Sequence, residues 1–406
     1  MAEDEKTIKT LFVTVLAEVI GFGILIPVVP LLFADPGSSF FILPEQYSIQ
    51  TGYILLGLLL GLYPLAQFVA TPLLGELSDV YGRKIVIQIS IIGTVVSTLV
   101  FTYGLLVANL WLIFASRLIN GLTGGLIAVA QATIADISNN DEKSRNFGII
   151  SAAFGTGLII GPFLGGLLSS GIYSFLTITT PFLFAAGLSS LSLVYITLHL
   201  EETSPKENKS IKWSKPFSQV VKGVKLPGLQ KLFAANFFYY AGFAFFTSFI
   251  PVLLIERFSF SQLEIGNFFL YIGVLILFTQ LVLVRKLFPR FSEEFVMPKT
   301  VLMAGLFLLL LAVAPNLWIF LLLIGLFSFN NGINNVTLDT LVSKNASEEN
   351  QGLAMGTTQS LRSLANAFPS MLSGVTAALF TPATPIVIAG SLIFLTGITY
   401  KLLNRN

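Results

Sequence analysis

The sequence contains no cysteine and one histidine, His199, in 406 residues. The first absence excludes a disulfide, a thiol nucleophile and a thiolate metal site. Charge is scarce as well. Charged residues make up 11% of the chain, where a soluble domain carries about 25%, so these side chains cannot clothe a surface in water. Lys and Arg number 23 against 21 Asp and Glu, for a net charge of +2, with no long basic tract. That excludes a nucleic-acid partner. Neither H-E-x-x-H nor G-x-S-x-G occurs, so no metal or nucleophile motif points to an enzyme. Glu3, Asp4 and Glu5 open the chain, and no small-residue cleavage site follows the first apolar run. No removable signal peptide is expected.

Apolar sequence fills the chain instead: 54% of residues are hydrophobic and the mean hydropathy is +0.83. Runs long enough to cross about 30 Å of hydrocarbon fall near 8–33, 50–73, 85–107, 110–137, 146–170, 176–199, 231–256, 262–284, 298–315, 317–343, 352–378 and 384–403. Twelve spans put both termini on one side. Arg257 alone lies in a loop opposite, and Arg117 and Arg362 lie inside spans; the other 20 of the 23 Lys and Arg (23 − 3) fall in the termini and the loops on the terminal side. The positive-inside rule then places both termini in the cytoplasm, in an inner or plasma membrane. The expected fold is an all-α membrane protein of twelve transmembrane helices in two six-helix, pseudo-symmetric bundles.

The long polar segment 201–230 divides the spans into bundles at 1–200 and 231–406. Its tail sets Phe217, Val220, Val221 and Val224 at helical spacing, with Lys215, Lys222 and Lys225 on the other side. It reads either as an amphipathic helix on an anionic leaflet or as a flexible linker. The bundles also repeat one another. Gly21-Phe22 followed by Pro30 in span one matches Gly242-Phe243 followed by Pro251 in span seven, and Asp136 before Gly148 matches Asp339 before Gly352. Same-orientation repeats place a site between the halves.

Ionisable side chains inside a bilayer are expensive, and each needs a reason. At 1.5 Å per residue, Glu18 and Arg362 lie about 15 Å deep and Arg117 about 12 Å. All three are expected to face one shared cavity. Glu18 reads either as a proton-exchanging carboxylate or as the partner of Arg117 in a permanent salt bridge. Arg362 reads as a contact for an anionic substrate group, or as paired with Glu18 or bonded to backbone carbonyls. Asp136 and Asp339 lie so near the terminal side that they are not counted as compensating charge.

Three motifs carry further information. A charged turn, Gly75-Glu76-Leu77-Ser78-Asp79-Val80-Tyr81-Gly82-Arg83-Lys84, joins spans two and three at the water boundary. Arg117-x-x-x-Gly121-x-x-x-Gly125 in span four allows close helix approach. Span five reads Gly157-x-x-x-Gly161-Pro162-x-x-Gly165-Gly166, a flat face with a proline kink. The first resembles the loop between helices two and three of major facilitator superfamily transporters, and the second their span-four pattern. The third resembles the antiporter signature of the drug/proton branch. Ala17-Glu18-Val19-Ile20-Gly21-Phe22-Gly23-Ile24-Leu25-Ile26-Pro27-Val28-Val29-Pro30 resembles the first span of tetracycline/proton antiporters and multidrug exporters, with Glu18 where aspartate is usual. Ile134-Ala135-Asp136-Ile137 and Phe147-Gly148 fit the junction of spans four and five; in the second half the likeness is thinner, mainly Gln351-Gly352 with Gly356.

The resemblance implies the major facilitator fold and proton coupling through Glu18 and Arg117. It also implies gating by Gly75, Asp79, Gly82, Arg83 and Lys84. Asp79 is expected beside the N-terminal end of span eleven, near Gly352, when the cytoplasmic side is closed. His199 lies at the inner end of span six, so no histidine-assisted metal site of the tetracycline exporters is evident, and no metal or cofactor beyond a proton gradient is expected. The cargo surface is read from composition: Tyr239, Tyr240 and Phe243 in span seven, Asn331, Asn334 and Asn335 on one face of span ten, then Gln131, Gln359 and Arg362. The asparagine face is expected to meet a wet cavity. The leading expectation is a monomeric, proton-coupled exporter of small amphipathic compounds, in contact with membrane lipids. The alternatives are a symporter or facilitator of a sugar or organic anion on the same fold, and a non-transporting receptor or scaffold.

Overall fold

The computed structural model describes residues 2–44, 46–138, 140–203, 215–347 and 350–403. These residues form helices and connecting turns, with no strand among them. The first half comprises α1 (Ala2–Gly23), α2 (Leu25–Ala34), α3 (Ile49–Tyr81), α4 (Arg83–Leu106), α5 (Leu110–Leu122), α6 (Leu126–Ile137), α7 (Asn140–Leu168) and α8 (Thr180–His199). A short α9 (Lys215–Val224) follows in the linker. The second half comprises α10 (Gln230–Phe258), α11 (Gln262–Phe278), a π-helical turn at Thr279–Leu283, α12 (Val284–Leu287), α13 (Glu293–Ala312), α14 (Leu317–Asn345), α15 (Gln351–Leu379) and α16 (Thr384–Leu403).

These pieces make twelve spans, because α1 with α2, α5 with α6, and α11 with α12 are each one interrupted crossing. Eleven of the twelve are long and apolar enough to cross a membrane by composition. The other is α15, whose Thr357, Thr358, Arg362, Ser363, Asn366, Ser370 and Ser373 lower its hydropathy. It spans nonetheless, because it packs along α3 and α10 with α14 and α16 as its chain neighbours. Helix starts at one boundary carry polar caps where backbone N–H groups would otherwise be orphaned. Ser48 caps α3, Asn109 caps α5, Ser261 and Glu264 form a capping box on α11, and Asn316 caps α14.

Those four helices run toward the face where α1 begins and α16 ends, here termed the terminal face. Lys231 Nζ donates to the Leu403 carbonyl at 2.6 Å there, and Lys6 pairs with Glu201 at 3.8 Å. The first and second halves each have a core of their own. A further cluster bridges them: Ile24, Val28, Phe33, Tyr53 and Leu56 pack with Phe249, Val252 and Ala377. Tyr53 meets Phe249 edge-on with ring centroids 6.2 Å apart.

That bridge lies on the far face and seals it. Gly57 of α3 lies on Gly374 of α15, and Gly266 of α11 lies on the Pro162 carbonyl of α7. Lipid is as apolar as a leucine, so close approach at small residues is what holds such helices together. Toward the terminal face the same helices part. Gly75 of α3, Gly148 and Gly155 of α7, and Gly352 and Gly356 of α15 have open space where a side chain would stand. The molecule is closed on the far face and open on the terminal face.

Candidate functional site

Span one bends where α1 gives way to α2. Pro27 has no N–H to offer the Gly23 carbonyl, so one helical hydrogen bond is lost. The antiporter-like face of α7 seats on this bend. Gly157 packs on Val19, Gly161 on the Ile20 carbonyl and Gly23, and Gly165 on Ile24. A Cβ on residue 161 would stand 2.7 Å from Ile20 O, which explains glycine there. Gly166 faces the other way, onto Gln262 of α11. Thus α7 touches the helix of Glu18 with one row of small residues and the opposite half with Pro162 and Gly166.

Glu18 lies two turns from that bend, partly buried, with Oε1 shielded and lacking a hydrogen-bond partner. Thr94 of α4 and Ser189 of α8 flank the carboxyl. Arg117 is 7% exposed and holds its guanidinium over the Phe101 ring, 4.6 Å from the centroid. Its Nε donates to Ser116 Oγ at 3.5 Å. No ion pair joins Glu18 to Arg117. Tyr63 of α3 is within electrostatic reach of both, and packs on Phe22 at 5.4 Å. Gln67, one turn on, donates to Tyr63 Oη and to the Gly124 carbonyl, each at 3.0 Å. That carbonyl is freed where span four breaks between α5 and α6, and Thr71 Oγ1 also donates to it at 3.3 Å. Gly121 and Gly125 let α3 approach the break closely.

The second half differs. The Arg362 guanidinium makes a two-pronged ion pair with Asp339 of α14, its Nη1 at 3.3 Å from Oδ2 and its Nη2 on Oδ1. Nε donates to Asn236 Oδ1 at 3.2 Å, and the guanidinium lies 4.1 Å from the Tyr240 ring centroid. Tyr240 Oη donates to Asn335 Oδ1 at 3.0 Å. Deeper, Tyr239 Oη donates to Asn331 Oδ1 at 2.6 Å, and Thr300 Oγ1 to Asn334 Oδ1 at 2.5 Å.

Several expectations change on this geometry. Glu18, Arg117 and Arg362 do not pair with one another: Glu18 turns toward Thr94 and Ser189, Arg117 toward Phe101, and Arg362 toward Asp339. Two aspartates set aside as too near the surface do compensate arginines, Asp339 for Arg362 and Asp136 for Arg83, because a long guanidinium side chain can extend to a carboxylate near the surface. Tyr239, Asn331 and Asn334 are 0%, 1% and 0% exposed. Their side-chain oxygens join α10, α13 and α14 rather than meeting a wet cavity, while Asn331 Nδ2 stays buried without a partner. Tyr240, Phe243 and Asn335 keep partial exposure, and Gln131 and Gln359 are exposed.

At the terminal face the charged turn is compact. Gly82 has φ +108°, a conformation that side chains resist. Arg83 pairs with Asp79 at 2.5 Å and with Asp136 at 2.8 Å, and donates to Ser78 Oγ at 2.6 Å. Glu202 caps the start of α4, accepting from the backbone N–H groups of Arg83 at 2.7 Å and Lys84 at 3.2 Å. Lys84 Nζ donates to the Thr197 carbonyl at 2.9 Å. Asp79 is held by Arg83 within the turn, and Gly352 has open space beside it. In α9, Gly223 sits against Thr357 of α15 while Val221 is 57% and Val224 38% exposed. The side chains of Lys215 and Phe217 lie outside the described residues.

Tyr63, Gln67, Thr94, Ser189, Asn236 and Glu202 were not singled out by the sequence. Tyr63 and Gln67 had a usable signal, polar groups four apart within an apolar span. A hydroxyl, by contrast, is common in membrane helices and marks nothing by itself.

Twelve spans in two halves, ionisable groups buried within them and one face open define a membrane transporter. The chain belongs to the Major Facilitator Superfamily, whose family pattern matches residues 11–370. It is a multi-pass membrane protein and not an enzyme. It is 30% identical over 366 residues to the class H tetracycline resistance protein of Pasteurella multocida, covering 89% of this chain and 86% of that one. Multidrug resistance protein 1 of Bacillus subtilis (strain 168) is 28% identical over 385 residues, covering 92% and 90%. The crystal structure of the human organic anion transporter MFSD10 superposes with a TM-score of 0.73 at 22% identity, covering 98% of this chain and 99% of that one. At that identity the likeness concerns the fold.

Proposed function

We propose that this transporter exports small amphipathic compounds in exchange for protons, by alternating access, from a cytoplasmic membrane in which the terminal face is the cytoplasmic one. The observation that carries the reading is the contrast in pairing. Glu18 is a shielded carboxylate without a counter-ion, free to gain and lose a proton. It lies on the helix that α7 clasps, and α7 in turn contacts the far-face seal. A change of charge on Glu18 therefore has a short mechanical route to the closure between the halves. The similarity to a tetracycline resistance protein supports a drug-like cargo. Lysine and arginine crowding on the terminal side supports the orientation. An anionic cargo carried by symport would call for a free arginine in the opening. Arg362 is neutralised by Asp339, which of the two arginines deep in the spans leaves Arg117, held over the Phe101 ring, as the one without a carboxylate.

The test uses everted membrane vesicles with an imposed pH gradient, with tetracycline and ethidium as probe cargoes. Wild-type protein is expected to accumulate one or both, and Glu18→Gln to lose at least tenfold of the gradient-driven rate while keeping exchange at equal pH. Accumulation at the wild-type rate by Glu18→Gln would sink the reading.

A further inference from the structure

Among the described residues, eight buried side-chain polar atoms lack a hydrogen-bond partner, and four of them lie in one seam. They are Glu18 Oε1 of α1, Ser90 Oγ of α4, and Ser189 Oγ and Ser192 Oγ of α8. Helix α8 packs against both α1 and α4. Ser90, Ser189 and Ser192 are 2%, 1% and 4% exposed. At the level of the Glu18 carboxyl the Thr94 and Ser189 hydroxyls face it closely enough to influence it as hydrogen-bond donors, though Oε1 has no hydrogen-bond partner. One turn nearer the terminal face stand Thr14 of α1, Ser90 of α4 and Ser192 of α8, since α8 runs antiparallel to the other two. Thr14 is fully buried and donates to the Thr10 carbonyl at 2.8 Å. The turn beyond is apolar: Leu11, Ile87 and Ile196 are each 0% exposed and close the seam from below.

Beside the seam, an apolar groove of 380 Å³ on the outer face of α1 and α8 runs over Val13, Leu191, Val194 and Leu198 and passes Ser192 and Tyr195 to His199. There His199 Nδ1 lies 3.0 Å from the Tyr195 carbonyl, with the two rings 4.5 Å apart. Tyr63 is the titratable side chain facing Glu18, with Arg117 within its reach.

Buried polar atoms in a native fold are satisfied by protein or by ordered water, and water needs a polar site with two or more partners. Four orphaned oxygens in one seam meet that condition. We propose that the seam of α8 with α1 and α4 holds ordered water that exchanges protons with Glu18, inside the first half and apart from the opening between the halves. Proton and cargo would then reach the transporter by different routes. Their coupling would pass through the helices rather than through competition for one space. The proposal rests on Glu18 as the coupling group.

Two measurements test it. The first is a density map that resolves water: solvent is expected within hydrogen-bond distance of Ser90, Ser189 and Ser192 Oγ. Hydroxyls bonded only to backbone, with no density between them, would overturn the proposal. The second pairs Ser90→Val with Ser192→Val to fill the seam with methyl groups, using tetracycline in the vesicle assay. Gradient-driven accumulation is expected to fall at least tenfold while exchange at equal pH stays within twofold, and Ser192→Thr alone keeps both. Unchanged accumulation overturns the proposal, and so does an equal loss of both modes, which marks packing alone. If Glu18→Gln itself leaves accumulation intact, the antiport reading fails instead, and the map still decides whether the seam is wet.

Discussion

Glu18 in the first half and Arg362 in the second sit at comparable depth, yet their surroundings differ. Arg362 has an aspartate, an asparagine and an aromatic face, each contributed by a neighbouring helix. Glu18 has two hydroxyls for neighbours and no counter-ion, and Arg117 is held over a ring instead of a carboxylate. A charge-paired cluster resists change, because taking away one ion strands the other, even though Asn236 Nδ2 beside it lacks a partner. An unpaired carboxyl has room for a proton to matter. The second half therefore behaves as a fixed frame, and the first holds the group able to change state.

The widest gap between the halves should appear on breaking the Arg362–Asp339 pair. Asp339→Asn leaves a mostly buried guanidinium without its counter-ion and, with Asp339 itself 38% exposed, is expected to cost about 1–3 kcal/mol of stability, read as thermal unfolding in detergent. Arg362→Met with Asp339→Leu removes both charges and is expected to restore most of that stability. If the double variant unfolds as early as the single one, the frame is not held by this pair.

The next effect concerns pH. If a proton on Glu18 and cargo are mutually exclusive, the protonated carrier binds cargo less well, so affinity falls as pH falls. For one proton the slope approaches about tenfold per pH unit below the titration of Glu18. Tetracycline binding measured by fluorescence in detergent should show this slope in wild type and none in Glu18→Gln. Affinity that rises as pH drops would reverse the roles of the halves and return Arg362 to cargo binding.

A smaller effect is expected deep in the second half. Tyr239→Phe removes the donor to Asn331 Oδ1, which then stays buried without a partner. The cost is about 1–2 kcal/mol in the same unfolding measurement, with transport nearly unchanged. A strong transport loss at wild-type stability would show that this network meets cargo after all.

Much of the architecture is legible in the residues. Hydrocarbon admits only helices whose backbone groups are satisfied internally. The count of apolar runs, the polar segment after Glu201 and the glycine-proline face of span five therefore fix twelve spans and two halves. The depths of Glu18, Arg117 and Arg362 follow from the rise per residue. Composition hides α15 from a hydropathy threshold, though its position in the series reveals it.

What the sequence left undecided is where each side chain points. Hydropathy is the same for every rotation of a helix about its own axis when all its faces are apolar. That Glu18 turns to Ser189 rather than Arg117, that Asp339 finds Arg362, and that Asn331 and Asn334 are sealed among α10, α13 and α14 follow from how glycines and prolines set the helix seams. The opening toward the terminal face belongs to the same category. Two packings of the same helices differ in contacts between the halves, and the chain alone does not distinguish them. Length, polarity and the bilayer determined the spans; close packing between them decided which buried charges are tied and which is free.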